Sequence, residues 1–153
     1  NKKITFFALI AFFLTLINVS SRDSQINIVS DKLNTDINER RSIFTGNVYA
    51  YNKELQVWSD EMTINLKKNK DEIKEILASG NVKIIRLIEG SIIHGDMADY
   101  SLEQKIIVIT GNVTVIENGN QVSGNELIVD LNSSSSIMSG SESNRVEAII
   151  TEN

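Results

Sequence analysis

The chain has 153 residues and a formal net charge of −5, is 41% hydrophobic and 6% aromatic, and contains neither cysteine nor proline. This length suits one domain with a modest core. The lack of cysteine excludes disulfides, thiolate metal sites and cysteine nucleophiles, and the acid surplus argues against nucleic acid, because no basic excess remains to neutralise phosphates.

The first 21 residues are distinct from the rest. Lys2 and Lys3 precede a nearly continuous apolar run from Ile4 to Val19, and small residues follow at Ser20 and Ser21. This pattern predicts a cleaved secretory signal over residues 1–21, with a retained membrane anchor as the alternative. Fifteen Lys and Arg less these two leave 13 against 20 acids, so residues 22–153 carry −7. They are read as one domain.

An internal repeat organises that domain. The tripeptide Gly-Asn-Val occurs at Gly46-Asn47-Val48, Gly80-Asn81-Val82 and Gly111-Asn112-Val113. A second motif interleaves with it: a small residue, then Asp or Asn, then an apolar residue two positions on. Its copies are Ser30-Asp31 with Leu33, Ser59-Asp60 with Met62, Gly95-Asp96 with Ala98, and Gly124-Asn125 with Leu127.

Aligned on the Asp or Asn, the copies share a parity. Three residues before it stand Ile28, Val57, Ile93 and Val122. Two, four and six positions after it come Leu33, Thr35 and Ile37; Met62, Ile64 and Leu66; Ala98, Tyr100 and Leu102; Leu127, Val129 and Leu131, of which all but Thr35 are non-polar or aromatic. Such alternation predicts strands with one buried face. The parity shifts at the Asp or Asn, so this residue is expected at a bulge or bend in a curved sheet. The Gly-Asn-Val segments show the same face: Phe44, Val48 and Ala50; Ile76, Ala78, Val82 and Ile84; Ile107, Ile109, Val113 and Val115. Each motif glycine falls on that face too, where it leaves interior space or permits a kink. Met138 and Gly140 resemble a weak fourth copy.

Turns are expected at 52–54, 67–71, 88–90, 103–104, 118–120 and 132–136. Terminal strands are expected at 25–29 and 145–151. Only 70–77 has a helical alternative, which the repeat parity outvotes. The result is an all-β antiparallel chain of about 10 to 14 short strands, arranged as a jelly-roll-like pair of curved sheets or a short β-solenoid.

The segment Ile28 to Leu33 (IVSDKL), then Phe44 to Val48 (FTGNV), then Ser59-Asp60 with alternating apolar residues, resembles the LptA/OstA family of periplasmic lipopolysaccharide transport proteins. The resemblance covers roughly residues 25 to 150. It implies a V-shaped β-jelly roll, open at both ends, whose apolar interior accepts acyl chains. It also implies head-to-tail joining of copies, edge strand to edge strand, into a bridge between inner- and outer-membrane transport components. A sister protein in the family, LptC, keeps its N-terminal helix as an anchor, so the cleavage question is also the choice between soluble bridge and anchored sister.

On this reading the lipid-facing set is Phe44, Val48, Val57, Met62, Ile64, Leu66, Ile76, Val82, Ile84, Ile93, Tyr100, Leu102, Ile107, Ile109, Val113, Val115, Val122, Leu127 and Val129. The same residues would equally form the closed core of a structural β-repeat protein. Ile26, Ile28, Val146, Ala148 and Ile150 form apolar terminal strands able to recruit another chain or to pair within the domain.

No reading as an enzyme emerges, and no cofactor or metal site is expected. The only histidine, His94, has no ligand cluster or nucleophile beside it. Asp31, Asp60 and Asp96 recur as repeat corners, which fits structure better than acid–base work. Trp58 has outward parity. Lys67, Lys68 and Lys70 make a basic hairpin tip, either solvated or touching anionic head groups.

Overall fold

The computed structural model describes residues 26–152; the expected signal over residues 1–21 lies outside them. The described residues form ten strands: β1 (Asn27–Val29), β2 (Lys32–Asp36), β3 (Arg41–Tyr51), β4 (Leu55–Leu66), β5 (Ile73–Arg86), β6 (Ser91–Ser101), β7 (Ile106–Glu117), β8 (Asn120–Asp130), β9 (Ser135–Ser139) and β10 (Glu147–Ile149). All pairings are antiparallel, between neighbours in a meander from β3 to β8. β1 and β2 lie end to end along the outer edge of β3, and β9 and β10 along that of β8. The fold is thus all-β and jelly-roll-like, as the repeat requires. The segment with a helical alternative enters β5. Ser135 and Ser136, expected in a turn, begin β9 instead, because the hairpin from β8 needs only residues 131–134.

A crease crosses the sheet perpendicular to its strands. Gly46 and Asn47 together oppose Asp60, and the ladder shifts register there. The same two-for-one pairing recurs where Gly80 and Asn81 oppose Asp60 and Asp96, and where Gly111 and Asn112 oppose Asp96 and Asn125. Both residues of each pair are left-handed, with φ of 83° and 46°, 79° and 50°, and 80° and 47°. Asn is the non-glycine residue that best tolerates this region.

The crease also explains the residue types. The amides of Asn47, Asn81 and Asn112 donate to the carboxylates of Asp31, Asp60 and Asp96 at 3.0, 2.9 and 3.0 Å. A Cβ built on Gly46, Gly80 or Gly111 would collide with that same carboxylate. The motif glycines therefore make room for an aspartate of the preceding strand. They do not open the interior, contrary to one of the two roles expected from parity; the kink is their role.

The crease divides the sheet into two halves, each eight strands wide. In both halves the inward side chains are buried, and they belong to one apolar cluster that includes Val48, Val82, Ile84 and Ile93 from one half and Phe44, Met62, Ile64 and Ile109 from the other. Among the described residues there is no helix to cover either half. Each half is therefore covered by the other, folded over along the crease. Tight complementarity holds the fold line. A Cβ on Gly95 would lie 2.5 Å from Ile109 Cγ2, and one on Gly124 would lie 2.8 Å from Met138 Cγ.

On the outer face, burial and then neighbouring Glu75 hold the Asp99 carboxyl above the usual carboxylate range. A raised folded-state value means that ionised Asp99 opposes folding at neutral pH, and that this opposition is relieved as pH falls through it. Asp99→Asn should melt slightly higher than the parent at pH 7. That gain should vanish once the pH lies below the ordinary aspartate value. Thermal melts across this range check it, and a gain independent of pH would count against it.

Candidate functional site

The registers align the inward side chains into rows that cross every strand. One row runs Ile28, Ala50, Val57, Ile84, Ile93, Val115, Val122, Ala148. A second, across the crease, runs Leu33, Phe44, Met62, Ala78, Ala98, Ile109, Leu127, Met138. Every member of both rows is apolar. A third row has hydroxyls at its ends: Thr35, Ser42, Ile64, Ile76, Tyr100, Ile107, Val129, Ser136.

All nineteen expected inward residues are buried or half-buried. Val48, Val82, Ile109 and Val113 are buried most completely, Val113 at 0% exposure. Leu66, Tyr100, Leu102 and Val122 stand outside the central cluster and its packed periphery. Leu66 and Leu102 lie where the second half meets its turns. Burial pushes the Tyr100 hydroxyl above its usual value. Sequence reasoning left Ala50, Ala78, Ala98 and Met138 out of the lining set, although each has the repeat parity. It also missed Ser42, Ser59 and Ser91, which are buried; polarity hid them from a search for apolar alternation.

The middle is closed by protein side chains, while each end exposes the terminal member of one row. Leu33 is 44% exposed, and Ala148 is also exposed. This gradient follows from topology, since the end strands have a neighbour on one side only. Ser59 and Ser91 have buried hydroxyls with no hydrogen-bond partner.

The terminal residues divide. Ile28 pairs with Ala50, and both Ile26 and Ile28 pack on the core. Ala148 pairs with Val122, whereas Val146 and Ile150 lie beyond β10 and are exposed. The tail is pinned by the Thr151 amide, which donates to Asn120 Oδ1 at 2.9 Å. Each terminal strand thus pairs inside the domain along one edge, and no strand among the described residues covers its other edge.

Other residues singled out from the sequence fall on the outer surface. Trp58 faces outward and stacks on Tyr49 at 5.0 Å, with Lys83 Nζ 5.2 Å from its ring centroid. Tyr49 in turn stacks on Tyr51. His94 is exposed, between Lys83 and Thr114 in register. The basic tip is a built turn. Lys67 bonds Glu72 at 3.0 Å, which raises its pKa, and Arg40 clamps the Lys67 carbonyl and Asp71. Lys68 and Lys70 remain exposed. Among the described residues, no group of three or more His, Cys, Asp or Glu could hold a metal.

A creased antiparallel sheet with continuous apolar inner rows, one of them exposed at each end, defines an open jelly-roll-like class of protein. Over residues 27–135 the chain matches the protein family described as LptA/(LptD N-terminal domain) LPS transport protein. It belongs to that lipopolysaccharide transport family. Among solved structures, it is similar to LptH of Pseudomonas aeruginosa, described as the LptA-homologous periplasmic component of the lipopolysaccharide transport device. The two share 15% identity and superpose with a TM-score of 0.72, over 83% of this chain and 95% of that one. At that identity the likeness shows the fold alone. No curated protein matches the sequence at a significant level.

Proposed function

We propose that the protein is a periplasmic carrier of lipopolysaccharide that shields acyl chains between its two half-sheets and bridges the inner- and outer-membrane transport components. The observation that carries this reading is the pair of apolar rows running unbroken across eight strands, with Leu33 exposed at one end of the sheet and Ala148 at the other. Exposing one methylene to water costs ~0.8 kcal/mol, so an acyl chain of about a dozen carbons costs on the order of 10 kcal/mol. An interior that continues from end to end offers such a chain cover along a path. Closure of the middle requires the half-sheets to part along the rim opposite the crease when a chain enters. The uncovered outer edges at β1–β2 and β9–β10 support head-to-tail association and docking to partner components.

Export by a cleaved signal over residues 1–21 belongs to this reading, with residues 22–153 as the working domain. The anchored sister role is the second reading, favoured by the apolar run Ile4 to Val19. Mass spectrometry of the mature N-terminus separates them: a terminus near Arg22 supports the soluble bridge, and an intact leader supports the anchor.

Photo-crosslinking tests the interior. A photoreactive residue at Phe44, Ile109 or Val129 should label lipopolysaccharide, while one at outward-facing Trp58 should not. Failure at every inward position would favour a closed structural core.

A further inference from the structure

We propose that the two ends of β5 hold a phosphorylated lipid headgroup at the mouth between the half-sheets: Lys68 and Lys70 take its phosphate, and Ser91 bonds the ester or amide carbonyl at the root of its acyl chain. The inference rests on the carrier role proposed above and assigns that carrier a headgroup site.

The topology places these groups together. β5 is 14 residues long and carries its bulge, Gly80-Asn81, near its middle. Folding the sheet along the crease therefore brings both ends of β5 to the rim, one on each half-sheet. The turn before β5, residues 67–72, is one lip of the mouth, and the turn after it, residues 87–90, is the other. Facing sheets pack ~10 Å apart, a gap that a sugar-phosphate headgroup can bridge.

The two lips differ in chemistry. On the first, Arg40 pairs with Asp71 and Lys67 with Glu72. These bonds hold the turn, and they leave Lys68 and Lys70 exposed, with no ion pair among the described residues. Two free ammonium groups side by side, on a chain with an acid surplus, suit a phosphate. On the second lip, Leu87 is 46% exposed and Ile88 79%, the highest value of any large hydrophobic residue described. An apolar lip facing a cationic one matches an amphiphile lying across the mouth, chain roots to one side and phosphate to the other.

Ser91 is an independent observation. It opens β6 directly behind the apolar tip and pairs in register with Arg86. It shares the inward parity of Ile93, is 2% exposed, and its hydroxyl has no hydrogen-bond partner. A buried hydroxyl without a partner is a standing cost to the fold. A ligand carbonyl that reaches it removes that cost. In an acylated glycolipid, the ester and amide carbonyls lie where the apolar chains meet the polar headgroup, which is the level of Ser91 at the rim. Ser59, the other such hydroxyl, stands at the crease, opposite Val48 and far from the mouth.

Equilibrium binding of diphosphorylated lipid A and of its dephosphorylated form, in the same non-ionic detergent, tests the site. K68Q/K70Q should weaken binding of the diphosphorylated lipid about fivefold more than that of the dephosphorylated one. S91A should weaken binding of both lipids about fivefold, while its urea midpoint stays level or rises because an unpartnered group is gone. S59A should leave both affinities as they are. Unchanged affinity in either K68Q/K70Q or S91A, or an equal loss in S59A and S91A, would overturn the headgroup site while leaving the carrier standing. So would displacement of the lipid by inorganic pyrophosphate at equal concentration, which would mark a bare anion site. Native protein that binds neither lipid would overturn both.

Discussion

Gly111→Ala should lower the stability of the protein by about 2–4 kcal/mol, read as an earlier urea midpoint at unchanged slope. Two costs combine. Holding a residue with a Cβ at φ 80° is unfavourable, and the new methyl group meets the Asp96 carboxylate. The second cost is removable. Asp96→Ala alone should destabilise modestly, because the Asn112 amide loses its acceptor. Added to Gly111→Ala, however, it should restore part of the loss, leaving mainly the torsional cost. A double-mutant cycle measures this coupling. Strict additivity would mean that glycine and aspartate do not share that space, and the account of the crease would fall.

Ile109→Ala should cost about 2–5 kcal/mol. Ile109 is 1% exposed and reaches across the fold line to the space above Gly95. Gly95→Ala alone should also destabilise, by about 1–3 kcal/mol, through overpacking. The two together should cost clearly less than their sum, because the methyl group at 95 enters the space vacated at 109. Two buried positions elsewhere in the repeat set the precedent. Small Ala78 stands where Ile109 stands, and the corner residue before it is Ser59 in place of Gly95. Chemical denaturation of the three variants checks this, and a double mutant worse than the sum would refute the size exchange.

Both experiments probe the same structural element, and that element bears on transport. The crease brings two half-sheets face to face, and only their facing makes an interior. In the carrier proposed above, a lipid path between them would require a fold line that holds the halves in register while the opposite rim parts. The αL bulges constrain the backbone along that line, and Asn–Asp side-chain bonds link adjacent strands along it. The rim is built differently: its tips are tied to one another within a half, as in the Arg40 clamp on Lys67 and Asp71.

Much of this was legible before any coordinates. Alternation about Asp31, Asp60, Asp96 and Asn125 revealed the strands, their buried face and the presence of a bend, because side-chain direction along a strand depends only on local backbone geometry. The family resemblance rested on the same residues, and the match over 27–135 agrees with it. What alternation could not reveal was the partner of each corner. That Gly80 yields space to Asp60, or that Ile109 fills the space above Gly95, depends on which strands lie side by side and in what register. Those contacts join residues distant in sequence. Ser59 and Ser91 were missed for a related reason: their burial follows from how the halves close over them, whatever their own polarity. Local geometry is written residue by residue, whereas the crease, the continuous rows and the two unlike edges exist only once the strands are laid against one another.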